Sequence, residues 1–461
     1  MKMRLGQAAQ AIKAVGDLAD REQQWITRVQ TDSRCTEPGD LFVCLPGSRF
    51  DGHNFAAAAE ERGAAAIVSQ QPLLSGVKEV PVLLVPSTVT ALGRLAAAWR
   101  SRFQGAVVAV TASAGKTTVK ELLGAALAEA GPTARNFKNW NNQIGLPLSM
   151  LACSGEEAHW VMEAGISRTG DMDELAQILT PDLVVIGNIG PAHLEGLGDE
   201  QGVAREKCKL LSSLTPGGRG VICRDYPHLV REAESLHKPL VLFSTQDDSA
   251  CCFGRYRGAG SGGGKFLLRL AGEEAEVELP WRGGFMAENI LAAACAAREL
   301  GLDLAGILRG MVRATLPEHR FTCRSLGTWQ LIDDSYNANP LSMQRSISCA
   351  AERSGDAPLV LVLGEMGELG EHAEKEHQDL GGFIARTGCR TVFFQGGHQD
   401  ALRRGLDAGN WGGRFIPMAD TSDLVRGLKE TGLHRGTILV KGSRACNMER
   451  YVRELTRELG S

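Results

Sequence analysis

No stretch of this sequence approaches the ~18 consecutive apolar residues that a membrane-spanning helix requires. The opening Met1-Lys2-Met3-Arg4-Leu5 runs into Gln, Lys and Asp rather than into the apolar core of a signal peptide. No Cys-x-x-Cys pair occurs among the 12 scattered cysteines, and the adjacent Cys251 and Cys252 suit neither a simple disulfide nor a zinc knuckle. An excess of positive charge is also missing: the formal net charge is -4, so nothing draws the chain to nucleic acid in general. Internal repeats and low-complexity tracts are absent too. These absences lead to the expectation of a cytoplasmic protein in a reducing compartment, with neither nucleic acid nor membrane as partner.

What is there reads as an ordinary soluble globular composition, 43% hydrophobic and 23% charged. At 461 residues the chain is too long for one core, and roughly three domains are expected. The stretch that organises it is Val107-Val108-Ala109-Val110-Thr111-Ala112-Ser113-Ala114-Gly115-Lys116-Thr117-Thr118. Four apolar residues enter a small-residue loop. Then Val119, Leu122, Leu123, Ala126, Leu127 and Ala130 recur at helical spacing, and Gly131-Pro132 stops the helix. A helix start offers unpaired N–H groups and partial positive charge, so phosphate sits well there. Lys116 would reach the outer phosphates and Thr117 would ligate magnesium. The full phosphate-loop pattern has Gly five residues before Gly115, where Val110 stands, so a simple Gly turn at a helix start is the alternative.

On either side the chain alternates strand and helix. Residues 1–102 read as a small α/β unit, with strands at 41–45, 64–69 and 80–86 and helices at 55–62 and 89–102. Phe103-Gln104-Gly105 reads as a linker into a second unit, 103–314. Its strands at 160–163, 183–188, 220–224 and 239–243 alternate with helices, which predicts a mainly parallel sheet covered on both faces. Residues 249–279 break this pattern and predict a small antiparallel ribbon, with 258–264 as a flexible tip. A strong helix is expected at 287–300. Residues 315–461 alternate again, with strands near 329–332, 359–363, 391–394, 414–417 and 437–440, and helices near 342–352, 374–386, 422–431 and 447–458. The expected fold class is therefore α/β in three domains: a small N-terminal unit, a central phosphate-loop parallel-sheet domain and a second doubly wound sheet.

Polar residues gather where strands end, the edge where such sheets hold ligands. Glu163 closes Trp160-Val161-Met162, and His193 and Glu195 follow Asn188. Carboxylate and imidazole suit magnesium or manganese beside a phosphate, although His is less usual for a hard ion. In the third unit, Asp333-Asp334-Ser335-Tyr336-Asn337-Ala338-Asn339-Pro340, Gly364-Glu365-Met366-Gly367-Glu368-Leu369-Gly370 and Lys441-Gly442-Ser443-Arg444 load one edge. That edge is expected to face the phosphate loop across a cleft. Near the start, Thr31-Asp32-Ser33-Arg34 and Gly47-Ser48-Arg49 are either ordinary loops or a surface with two arginines able to clamp phosphate.

These motifs, with Asn139-Trp140-Asn141-Asn142-Gln143-Ile144-Gly145-Leu146-Pro147 and Ala192-His193-Leu194-Glu195-Gly196, resemble the Mur ligases, the ATP-dependent amide ligases of peptidoglycan precursor synthesis. The resemblance covers all three units. It implies an N-terminal UDP-sugar domain, a central ATP domain and a Rossmann-like C-terminal domain. It lies nearest the branch that joins D-alanyl-D-alanine to UDP-N-acetylmuramoyl-tripeptide through an acyl phosphate. No amino-acid recognition motif of the sister branch that adds the third residue is found. By the same resemblance, Ala112, Ser113, Ala114, Gly115, Lys116, Thr117 and Thr118 hold ATP with Asn289, Arg320, Asp334 and Asn337. Thr117 and Glu163 bind a first magnesium and His193 a second. Lys207 matches the family's carbamylated lysine, an anionic ligand; on its own it reads as a solvated lysine in a charged helix. Lys116, His193 and Lys207 are the implied catalytic residues. Ser33, Arg34, Arg49, Asn142, Tyr336 and Lys441 are the implied substrate contacts. A monomer is expected. Four departures stand out: Ala112 where the family usually has Gly, Phe285-Met286 in place of His-Asn, an insertion in Pro317-Glu318-His319-Arg320, and Ser167 where Asn is common. A phosphate-loop kinase or regulatory NTPase and a non-catalytic UDP-sugar binder remain as alternatives.

Overall fold

The computed structural model describes residues 1–18, 20–73 and 76–460. Three sheets carry most of the described chain, beside a two-stranded antiparallel pair of Met3–Arg4 with Trp25–Ile26. The N-terminal one is all parallel, in the order Arg28–Gln30, Asp40–Val43, Ala66–Ser69, Val82–Leu84. The central sheet has nine strands, with Ala106–Thr111 between Leu183–Ile186 and His159–Glu163, both parallel to it. The C-terminal sheet has six strands: Thr322–Leu326 is the antiparallel edge, and Trp329–Asp334, Gly436–Lys441, Leu359–Gly364, Thr391–Gln395 and Arg414–Pro417 run parallel.

The continuous apolar runs explain the parallel strands. Leu183–Ile186 and Leu359–Gly364 are buried along their whole length, as strands must be when helices cover both faces. Parallel strands bring all their carboxyl ends to one edge, so Thr111, Glu163 and Asn188 emerge together. Among the described residues no helix is long and apolar enough to cross a membrane.

The structure sharpens three local expectations. Phe103-Gln104-Gly105 is a packed joint rather than a loose linker: Phe103 is buried and stacks on Trp160 with ring centroids 4.0 Å apart and planes within 8°. Beside it, Arg100 Nη2 meets Asp182 Oδ2 at 2.8 Å and donates to the Thr180 carbonyl at 3.0 Å. One apolar cluster accordingly runs from Met3 and Leu95 through Trp160 to Leu361. Second, the expected antiparallel ribbon at 249–279 is present and joins the central sheet. Cys252–Ala259 pairs parallel to Leu240–Ser244 and extends the central sheet by three strands. Third, the 258–264 tip is tied down, because Arg282 donates to the Gly263 and Gly260 carbonyls at 2.9 and 3.1 Å.

Phe103→Ala removes a stacked, buried ring, which typically costs about 3–5 kcal/mol. Urea unfolding of this variant is expected to show that loss; a midpoint equal to wild type would contradict the joint.

Candidate active site

Strand Ala106–Thr111 feeds a loop that turns into helix Lys116–Leu127 at Gly115, whose φ is +82°. A Cβ there would lie 2.3 Å from Asn289 Oδ1, so both backbone conformation and space demand glycine. No side chain caps this helix start, which leaves its first-turn N–H groups facing the loop. Ala112 is buried and lies outside the left-handed region, so the departure from Gly brings no backbone strain. Lys116 Nζ donates to the Ala112 carbonyl at 2.9 Å. Burial lowers its pKa, with Glu163 opposing that shift.

Neighbouring strand ends brace the loop. Thr117 Oγ1 donates to Glu163 Oε2 at 2.9 Å, and Asn141 Nδ2 to Glu163 Oε1 at 2.7 Å. Asn136 fixes the Glu163 backbone at both its N–H and C=O, each at 2.9 Å. Asn188 does the same for Ala114, accepting from its N–H at 2.8 Å and donating to its carbonyl at 2.9 Å. The sequence reading named Asn188 without a role and did not name Asn136; an Asn just after a strand was the available signal.

The C-terminal domain closes the other side. Its loaded loops face the phosphate loop as expected, across a cleft of about 1060 Å³. Asn339 Nδ2 donates to the Ser113 carbonyl at 3.0 Å, a contact the sequence reading missed. Asp334 accepts from Lys441 Nζ and Ser346 Oγ at 2.6 Å each. Burial lowers the Lys441 pKa against the pull of Asp334. The Tyr336 ring lies under the Arg320 guanidinium at 4.1 Å, with Arg444 at 5.5 Å. The inserted His319 is anchored, with Nδ1 at 2.8 Å from Asp333 Oδ2. Phe285, where the family has His, meets Phe321 edge-on at 5.4 Å on the cleft wall.

His193 and Glu368 meet across the cleft, Nδ1 to Oε2 at 2.6 Å but without hydrogen-bond alignment. Both residues have left-handed backbones, φ 55° and 61°. The His193 ring holds the Glu368 carboxyl below its usual pKa, despite burial. Only Nε2 of His193 is then left for any ligand.

Lys207 corrects the solvated reading. It is 0% exposed, and its Nζ has no hydrogen-bond partner among the described residues. It lies behind the cleft lining. Burial pushes its pKa well down, helped by nearby Lys116, while Glu163 and Glu206 act the other way. Val203, Lys207 and Leu210 share one buried stripe of helix Glu200–Ser212, a 3.6-residue pattern present in the sequence.

Ser113, Ala114, Gly115, Lys116, Thr117, Thr118, Asn142, Glu163, His193, Asn289, Arg320, Asp334, Tyr336, Asn337 and Lys441 all line the cleft. Ala112, Ser33, Arg34 and Arg49 do not. Arg34 is turned onto Asp32 at 2.7 Å, which holds that carboxyl at a pKa of about 2, and Arg49 lies over Phe50 at 5.5 Å. Among the described residues no three His, Cys, Asp or Glu side chains form a metal cluster. The Thr117 hydroxyl and Glu163 carboxylate still offer the oxygen donors that magnesium takes beside phosphates and water.

Comparison with known proteins gives one consistent picture. Residues 25–100 match the model described as Mur ligase family, catalytic domain; 110–297 match the Mur ligase middle domain; 319–444 match the Mur ligase, glutamate ligase domain. The UDP-N-acetylmuramoyl-tripeptide--D-alanyl-D-alanine ligase of Escherichia coli (strain K12) is 34% identical over 431 residues, 93% of each chain. That of Bacillus subtilis (strain 168) is 31% identical over 435 residues, 94% of each. A crystal structure of MurF from Acinetobacter baumannii superposes with TM-score 0.90 at 29% identity, covering 99% of each chain. MurF ligase from Thermotoga maritima in complex with ADP gives TM-score 0.81 at 28% identity, covering 94% of this chain and 97% of that one.

Gly115→Ala is expected to weaken ADP binding about tenfold or more, from left-handed strain of roughly 1–2 kcal/mol plus the clash with Asn289. Titration calorimetry with ADP checks this; unchanged affinity would mean the loop tolerates a Cβ.

Proposed function

The chain belongs to the Mur ligase family, and on that premise we propose how its cleft works as an ATP-dependent UDP-N-acetylmuramoyl-tripeptide–D-alanyl-D-alanine ligase. The reaction joins D-alanyl-D-alanine to the tripeptide and releases ADP and phosphate. A free carboxylate is a poor acyl donor, so a tripeptide carboxylate oxygen first takes the terminal phosphoryl group of ATP as the bond to ADP breaks. The dipeptide amine, as free base, then attacks the acyl carbon. Phosphate leaves from the tetrahedral intermediate, and the amine proton passes to solvent.

The observation that carries this reading is the meeting of two loop-bearing sheet edges on one cleft, Lys116 and Thr117 from one and Arg320 and Lys441 from the other. A kinase or regulatory NTPase reading leaves the second edge unexplained. The helix-start N–H groups and Lys116 cradle the phosphates, and Arg320 adds charge from the C-terminal domain. Asn289 buttresses Gly115, and Asp334 holds Lys441 while Asn337 accepts from the Arg444 N–H. Alignment of acyl phosphate and amine supplies much of the remaining acceleration. Magnesium, when bound, would neutralise phosphate charge; Thr117, Glu163 and, through Nε2, His193 would hold the two ions.

Lys207 fits carbamylation because its buried Nζ is partnerless. Addition of carbon dioxide to the neutral amine forms a carbamate and releases one proton, giving an anion where the amine has no partner. Ser33, Arg34 and Arg49 are assigned to the UDP end of the sugar substrate, and Asn142 and Tyr336 to the part inside the cleft. The domains are 1–102, 103–314 and 315–461. We assign the reaction to the cytoplasm and to a single chain, because the 12 unpaired thiols suit a reducing compartment and one chain supplies both cleft walls.

Phosphate release is expected only with ATP, magnesium, UDP-N-acetylmuramoyl-tripeptide and D-alanyl-D-alanine all present. Release that ignores the dipeptide would sink the assignment. Lys207→Ala is expected to lose about 100-fold or more in kcat, a size seen when charge stabilisation is removed, with partial rescue by formate or acetate. No rescue at any concentration would remove Lys207 from the ligand set.

A further inference from the structure

Behind the phosphate loop, three elements converge on one carboxylate. Glu288, in helix Gly284–Glu299, is 4% exposed. Its Oε1 accepts from Asn188 Nδ2 at 2.6 Å, and its Oε2 from Tyr226 Oη at 2.7 Å and Arg345 Nη2 at 2.9 Å. Arg345 Nη2 also donates to Tyr226 Oη at 2.5 Å. Asn188 is the amide that grips Ala114 at both N–H and C=O. One side chain therefore links the Glu288 carboxylate to the phosphate loop.

Of these partners only Arg345 comes from the C-terminal domain. It lies on helix Pro340–Ser354, which docks on the loop along one stripe. Asn339 at its cap reaches the Ser113 carbonyl, and Leu341 sits where a Cβ on Gly190 would come within 3.0 Å. Leu341, Arg345 and Cys349 follow at four-residue intervals, and Cys349 Sγ contacts the Arg282 carbonyl at 3.6 Å.

A buried carboxylate needs a counter-charge. Tyr226 and Asn188 give Glu288 hydrogen bonds without charge, and among the described residues its one ion-pair partner is Arg345, at 2.9 Å. Burial works against the Arg345 charge, but Glu288 outweighs it and the pKa stays raised. With the C-terminal domain undocked, Glu288 would set a negative charge behind a loop that must receive phosphates. Low-dielectric surroundings strengthen that repulsion.

We propose that Arg345 and Glu288 form an electrostatic interlock, in which docking of the C-terminal domain neutralises a carboxylate joined through Asn188 to the phosphate loop and thereby raises nucleotide affinity. The proposal rests on the loop being the ATP site. Glu288 and Asn188 lie outside the cleft lining and act as positioning residues through Ala114. The coupling is reciprocal: nucleotide on the loop favours the docked domain by the factor that docking favours nucleotide.

The test is calorimetric ADP binding to the full chain, with KM for ATP measured beside it. R345A is expected to weaken ADP about tenfold, within the usual range of such couplings, and to raise KM for ATP in parallel. R345K, which keeps the charge, and the double variant R345A/E288Q, which removes the lone carboxylate, are each expected to return to within about threefold of wild type. R345A binding as wild type would overturn the interlock. So would a double variant as weak as R345A, which would make Arg345 a direct phosphate contact or a structural prop. Should R345A not fold, R345K and the double variant decide alone. A wild-type chain that binds no ADP would instead overturn the nucleotide-site reading beneath the proposal.

Discussion

A lysine amine withdrawn from water must find oxygens or a carboxylate to replace the lost hydration. Three fully or nearly buried lysines organise this site, and two of them obey the rule. Lys120 donates to the Asn136 and Lys138 carbonyls at 3.0 Å each and meets Glu121 Oε1 at 3.0 Å. That fixes the segment from which Asn136 and Asn141 hold Glu163. Lys441 meets Asp334 and the Asn337 carbonyl, which fixes the facing loop of the other domain. Lys207 lacks any hydrogen-bond partner among the described residues, and that contrast makes its chemistry distinctive rather than its sequence context.

Much of this was legible beforehand. Apolar runs such as Leu183–Ile186 predict parallel strands, and parallel strands put Glu163, His193 and the Asp333–Pro340 loop at carboxyl ends on geometric grounds alone. The strands and helices expected in the third domain agree to within a few residues because each is bounded by a turn, while strand Thr322–Leu326 and helix Gln399–Ala408 were not expected. Less visible was anything set by contacts distant in sequence. Glu288 reads as one charge in an Ala-rich helix, and only the approach of Arg345, 57 residues later, gives it meaning. Phe103 looks like a linker residue until Trp160 comes to lie over it.

The two domain joints share one apolar cluster but differ in their polar contacts. The N-terminal domain is bonded to the centre by a stacked aromatic pair and the Arg100–Asp182 ion pair. The C-terminal domain adds polar and charged contacts on and beside the phosphate loop: Asn339 on Ser113, Arg345 on Glu288, His193 near Glu368. Apolar contacts hold regardless of what lies in the cleft. Charged ones change strength with the charge placed beside them, so the second joint is the one a triphosphate can influence.

The left-handed backbones of His193 and Glu368 carry one more implication. Glu rarely adopts this conformation and His does so more readily, so conformational strain is stored where the two walls touch, most of it at Glu368. Replacing either with Asn or Gly would relax the main chain while deleting the imidazole or the carboxylate. At these two positions a hardier main chain and the contact across the cleft are opposed, so selection for stability alone would erode the rim where the two walls meet.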